Sequence, residues 1–141
     1  MEPMVNKTAN EIVRVAQEVL AAEPRVAVAY LFGSVTRGTA GPMSDIDIGI
    51  VLSVGPSSDG VLGPLTDRLV LRLGTDRVDV IDLPSAPVPL RYRAVQGRVI
   101  VCADPRARER FEVDTVRRYL DFQPLRRRAF DLARAAILRA G

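Results

Sequence analysis

The chain has 141 residues, 48% of them hydrophobic and 26% charged, the balance of one soluble domain with a real core. It contains no histidine, which excludes Ser-His-Asp triads, histidine general bases and ordinary zinc sites. It also has no GxxxxGK(S/T) phosphate loop, so any metal chemistry must rest on carboxylates, which suit hard cations such as Mg²⁺ or Mn²⁺. The net charge of +3 is too small to argue for nucleic acid by itself, and it is almost wholly arginine, Lys7 being the only lysine. No apolar run approaches the roughly 20 residues of a membrane span, and the N-terminus lacks the basic-then-apolar pattern of a signal peptide. Cys102 has no internal disulfide partner, which fits a reducing cytoplasm.

Apolar residues recur at helical spacing from Asn10 to Ala22 (Ile12, Val15, Val19, Leu20), with Asn10 as the expected cap and Pro24 as the stop. RVAVAYLF (25–32) reads as a buried strand, Gly33-Ser34 as a turn, and VTRGTAGPMS as a loop with room for one helical turn. DIDIGIVL (45–52) is a second strand, and SVGPSSDG (53–60) a loop. GPLTDRLVLRLG (63–74) reads as a helix with Pro64 in its first turn and Gly74 as its cap. RVDVIDL (77–83) is a third strand, and PSAPVP (84–89) a connector that can be neither helix nor inner strand. PLRYRAVQG is a short helix stopped by Gly97, and RVIVCA a fourth strand at a sheet edge. From Asp104, a cap with Pro105 behind it, the chain turns helical; Pro124 is expected to interrupt or kink it before a last helix striped by Leu125, Leu132, Ala136 and Ile137. The expected architecture is therefore a single α/β (α+β) domain over 1–141. It has a mixed core of about four strands over 10–103 and a helical tail over 104–141.

The chemistry concentrates between Gly33 and Asp79. In DIDIGIV the isoleucines point one way and Asp45, Asp47 and Gly49 the other, which puts two carboxylates roughly 6.5–7 Å apart on one face. Such charges repel, the more so when partly removed from water, and a shared cation removes the penalty. Backbone amides at a Gly-Ser turn can hold phosphate oxygens, and glycine lets the phosphate come close. If the two strands are neighbours, phosphate and cation meet there. A third acid has to come from another strand. Asp79 and Asp82, three apart, face opposite sides of theirs; Asp79 is preferred because it sits mid-strand between Val78 and Val80, whereas Asp82 stands at the strand end.

This pattern, Gly-Ser followed ten residues later by Asp-x-Asp and then a strand aspartate, resembles the DNA polymerase β-type nucleotidyltransferase superfamily. GSVTRGTAGPMSDIDIGIV, RVDVIDL and AVQGRVIVCAD look like its minimal nucleotidyltransferase branch. RRYLDFQPLR resembles the antitoxin half of HEPN/MNT toxin–antitoxin pairs, with Arg126, Arg127 and Arg128 where acids commonly follow the YLDF segment. The likeness runs from about Val26 to Leu125. It implies that Gly33 and Ser34 bind the nucleotide phosphates, with Arg37, of the Arg37-Gly38 pair, touching the triphosphate. It further implies that Asp45, Asp47 and Asp79 hold two Mg²⁺ ions and that Asp79 can receive the acceptor's proton. ATP would then give AMP to a tyrosine hydroxyl on a cognate HEPN RNase toxin and so neutralise it. Such toxins carry an R-x4-H motif that a chain without histidine cannot have, so if this chain belongs to such a pair it is the antitoxin.

Two other functions fit the same residues: nucleotidyl transfer to a small-molecule hydroxyl, as in aminoglycoside modification, and an antitoxin that acts by docking without catalysis. The first usually needs a further substrate domain; the second gives no reason to keep three carboxylates together. Tyr30 and Tyr92 read as packing residues, and Tyr119 as a helix-packing residue able to reach a partner. The C-terminal arginines read as a solvated face or a basic surface for an acidic partner or RNA. Aromatics, only 5% and not interleaved with them, make a single-strand stacking platform and direct nucleic-acid binding unexpected.

Overall fold

The computed structural model describes residues 8–33, 45–53 and 59–140. Helix α1 (Ala9–Ala21) leads into strand β1 (Val26–Phe32), then β2 (Ile46–Leu52), helix α2 (Asp59–Leu73), β3 (Val78–Asp82), a 3-10 turn (Leu83–Ser85), α3 (Val88–Val95), β4 (Arg98–Cys102) and α4 (Pro105–Ala140). The strands form one mixed sheet in the order β3-β2-β1-β4. β1 is antiparallel to both neighbours, and β2 runs parallel to β3 across the α2 crossover. β1 is central, so all seven of its residues are buried, which is why VAVAYLF carries no polar alternation. β4 lies at an edge as expected, and β3 at the other.

Each sheet face buries its own core. Ile46, Ile48 and Ile50 pack with Ile12, Val15 and Val19 of α1 and Leu65, Leu69 and Leu73 of α2. Tyr30, Phe32, Val51, Leu83, Ala94 and Phe111 form the second core beneath α3 and α4. A register shift between Val26 and Val28 turns both Ala27 and Val28 to that second face. Gly49 also faces it, and a Cβ built there would lie 2.7–2.8 Å from the fully buried Leu83 side chain. Leu83 has nowhere to retreat, so Gly49→Ala should cost about 1–3 kcal/mol, read as a lower urea midpoint with an unchanged slope.

Several boundaries differ from those expected. The cap of α1 is Thr8, whose hydroxyl accepts from the Glu11 amide (3.2 Å), and not Asn10, which is already helical. α2 starts at Asp59, so Asp59 and Gly60 belong to it and Pro64 is its sixth residue. Val61 lies in line with Leu65, Leu69 and Leu73 and is 5% exposed, and its burial offsets the one amide that Pro64 withholds. Gly74 ends α2 with φ +74°, and its amide donates a hydrogen bond to the Val70 carbonyl. The 84–89 connector is more ordered than expected: it holds most of the 3-10 turn, and α3 already begins at Val88, with Pro89 in its first turn.

Asp104 caps α4 through the amides of Arg106 and Ala107 (3.1 Å each). α4 is one continuous helix of 36 residues in which Pro124 makes no break. The side chains around Pro124 are exposed, so the carbonyl that loses its amide partner can turn to water. The Ala103 and Asp104 amides donate to the Ala27 carbonyl at the start of β1, and Glu112 reaches Tyr30 at mid-strand, so α4 climbs in the direction of β1. The Tyr30 hydroxyl donates to Glu112 Oε2 (2.8 Å), which also accepts from Arg108 (2.7 Å). Burial, reinforced by that carboxylate, holds the phenol well above its ordinary range. Buried Arg91 of α3 pairs with Asp114 (2.9 Å) and lies 4.9 Å over the Phe111 ring, and Tyr92 stacks on Tyr119 at 3.7 Å, so all three tyrosines pack as expected. Among the described residues no helix is long and apolar enough to cross a membrane.

Candidate active site

The antiparallel pair β1–β2 sets Phe32 opposite Asp47, and the parallel pair β2–β3 sets Asp47 opposite Asp79. Three element ends therefore meet at one end of the sheet: the last residue of β1 with Gly33 behind it, and the first residues of β2 and β3. Asp47 and Asp79 share the α3/α4 face, because their neighbours Ile46, Ile48, Val78 and Val80 belong to the opposite core. Strands lie about 4.8 Å apart, so two like charges stand directly across one ladder step, an arrangement that destabilises a sheet unless something neutralises it. Asp47 is partly buried and Asp79 exposed.

Gly33 has φ +87°, and a Cβ built on it would overlap Asp47 Oδ2. Only glycine lets the turn lie against that carboxylate. Ser34, Arg37 and Gly38 lie outside the described residues. Asp45 stands just before β2, exposed, with Arg77 Nη1 3.4 Å from its Oδ1. The Arg77 carbonyl accepts from the Ile46 amide (2.9 Å), which docks the start of β3 beside the acid-bearing segment. The sequence reading overlooked Arg77; its place two residues before Asp79 was the available signal.

Asp82 is separated from this group. It is opposite Ile50, three residues along β3 and on the other face, and the Ser85 hydroxyl donates to its Oδ2 (3.1 Å). The structure thus brings Gly33, Asp47 and Asp79 together, keeps Asp45 adjacent but turned to Arg77, and leaves Asp82 in a local hydrogen bond. Among the described residues no three acidic, Cys or His side chains converge on one point as a ready-made metal cage. The donor set nevertheless suits a hard cation: carboxylates from adjacent strands, half in water, with no soft ligand beside them.

A central acidic pair at a strand end, a positive-φ glycine turn against it and a small mixed sheet between helices define a nucleotidyltransferase core. Residues 15–106 match the family Polymerase beta, Nucleotidyltransferase, and the chain belongs to it. It is 30% identical, over 122 residues, to the protein adenylyltransferase MntA of Shewanella oneidensis, covering 86% of this chain and 84% of that one. Its fold is similar to that of a toxin–antitoxin crystallised with AMP-PNP (TM-score 0.67, 29% identity, 89% of this chain and 97% of that one). It is likewise similar to a chain in the complex of a tri-AMPylated S. oneidensis HEPN toxin with its MNT antitoxin (TM-score 0.66, 27% identity, 88% and 97%).

Proposed function

We propose that this nucleotidyltransferase transfers AMP from ATP to a tyrosine hydroxyl of a cognate HEPN RNase toxin and acts as its antitoxin in the cytoplasm. The observation that carries the reading is the in-register Asp47–Asp79 pair with the Gly33 turn against it. The relatives named above, an adenylyltransferase and a complex with an AMPylated toxin, supply the substrate class.

Asp45, Asp47 and Asp79 are the residues that would hold two Mg²⁺ ions. When bound, these supply charge neutralisation for the triphosphate and for the departing pyrophosphate. The turn at Gly33-Ser34 presents backbone amides to the phosphates, and Arg37 adds a cation to them. Asp79, at the exposed edge strand, takes the proton from the tyrosine hydroxyl as its oxygen attacks the α-phosphorus. The new P–O bond replaces the one to pyrophosphate, so only positioning and electrostatics are asked of the protein, and no histidine is needed. AMP on the toxin adds bulk and negative charge where the RNase must bind its substrate.

The test mixes the purified chain, MgATP and toxin and reads the toxin's mass. A gain of AMP is expected; an unchanged toxin that is nonetheless inhibited would show neutralisation by docking and refute the enzymatic reading. The same assay ranks the two third-strand acids. Asp79→Asn should lower transfer at least a hundredfold, while Asp82→Asn, which removes only the Ser85 contact, should leave it within about twofold.

A further inference from the structure

The acids of the site share their face of the sheet with one base. Ile46 stands opposite Val78 and Asp47 opposite Asp79, so the next step outward sets Asp45 opposite Arg77. The Ile46 amide, donating to the Arg77 carbonyl (2.9 Å), carries the ladder out to that step. Residues two apart on a strand share a face, so all four lie on the α3/α4 side. They form a two-by-two array, with Asp47 and Asp79 in the inner row and Asp45 and Arg77 in the outer. The ion pair follows this register, with Arg77 Nη1 3.4 Å from Asp45 Oδ1.

Stability does not account for an arginine in that place. The Arg77 side chain is 42% exposed and that of Asp45 65%, and ion pairs so open to water add little to folding. The hydrogen bonds that hold this segment come from the Arg77 backbone: its carbonyl accepts from Ile46, and its amide donates to Thr75 Oγ1 (3.1 Å). What the guanidinium changes is the charge of the site, where it stands as one cation among three carboxylates. A divalent cation held by Asp45 lies about 2.1 Å from a carboxylate oxygen, and a guanidinium nitrogen 3.4 Å from that carboxylate repels it at close quarters. Asp45 therefore holds one of the two at the expense of the other. The substrate decides between them. A triphosphate offers oxygens that the guanidinium fork fits as well as it fits a carboxylate, and it enters at this same end of the sheet, against the Gly33 turn.

We infer that Arg77 is an exchangeable counter-ion for this site: its guanidinium holds Asp45 until nucleotide arrives, then passes to the triphosphate and releases Asp45 to the metal. The exchange swaps one ion pair for another and moves no proton, since arginine stays charged throughout. It makes metal capture at Asp45 wait for the substrate. The inference rests on the adenylyl-transfer reading and adds to it a residue that touches the nucleotide.

The test reads binding by the full chain with no toxin present. Mn²⁺ is titrated alone, with its paramagnetic resonance signal as the readout, and AMP-PNP is titrated at saturating Mg²⁺. Arg77→Gln should bind Mn²⁺ about fivefold more tightly and AMP-PNP about tenfold more weakly. A substitution that merely distorts the start of β3 would weaken both, so the opposite signs separate the exchange from a structural role. Arg77→Lys keeps the charge and loses the fork. It should leave Mn²⁺ affinity near that of the wild type and still lower nucleotide affinity severalfold. Unchanged or weaker Mn²⁺ binding by Arg77→Gln would overturn the inference, and so would unchanged nucleotide affinity in either variant. If both shifts appear and toxin never gains AMP, the exchange stands and the transfer reading falls. If toxin gains AMP while Arg77→Gln binds metal and nucleotide as the wild type does, transfer stands and the exchange falls.

Discussion

Asp47→Ala is expected to reduce AMP transfer by at least about a thousandfold, or some 4 kcal/mol of transition-state stabilisation, while leaving the protein folded. Asp47 is the acid that joins the site's parts: it lies opposite Phe32 on one side and Asp79 on the other, and the Gly33 turn rests against its carboxylate. The variant should gain no thermal stability from MgATP, while the wild type melts higher with MgATP than without. Asp45→Ala should also abolish transfer. There the carboxylate lost is the one that faces Arg77. Single-turnover assays against toxin, with thermal melts in parallel, check both variants; full activity in either would remove that acid from the site.

Gly33→Ala should damage both stability and activity. A residue with a Cβ at φ +87° pays about 1–2 kcal/mol for its backbone alone, and here the Cβ also overlaps the Asp47 carboxylate. Either the turn or Asp47 has to move. A displacement near 1 Å at a reacting centre is worth about a hundredfold in rate. The expected result is a lower melting temperature together with a loss of transfer of that order, against Gly49→Ala, which should lose stability through Leu83 but keep its activity per folded molecule. Equal transfer by Gly33→Ala and wild type would show that the turn plays no part in placing the nucleotide.

The sheet was legible in the sequence because each of its strands has an unambiguous apolar signature. β1 is apolar throughout, in keeping with the burial of all seven of its residues, and β2 alternates Ile with Asp47 and Gly49. The Asp45-x-Asp47 spacing and the Gly-Ser turn pointed to one end of that sheet, and strand parity already put Asp79 and Asp82 on opposite faces. What could not be read was anything decided by tertiary contact. The parallel register that sets Asp47 against Asp79 depends on the α2 crossover. The ion pair between Arg77 and Asp45 joins residues 32 apart in sequence. Prolines misled twice: Pro64 and Pro124 each remove one amide from a helix, a loss that Val61's burial offsets in α2 and water covers in α4. Thr8 outcompeted Asn10 as a cap because α1 begins at Ala9, two residues ahead of the start that a cap at Asn10 implies.

Calorimetric titration of the chain with magnesium and a non-hydrolysable ATP analogue tests the acidic pair most directly. Nucleotide should bind the wild type only when the metal is present, and binding should vanish when Asp47→Asn and Asp79→Asn are combined. Equal affinity in EDTA, or an unaltered titration of the doubly substituted protein, would contradict a cation shared between those two strands.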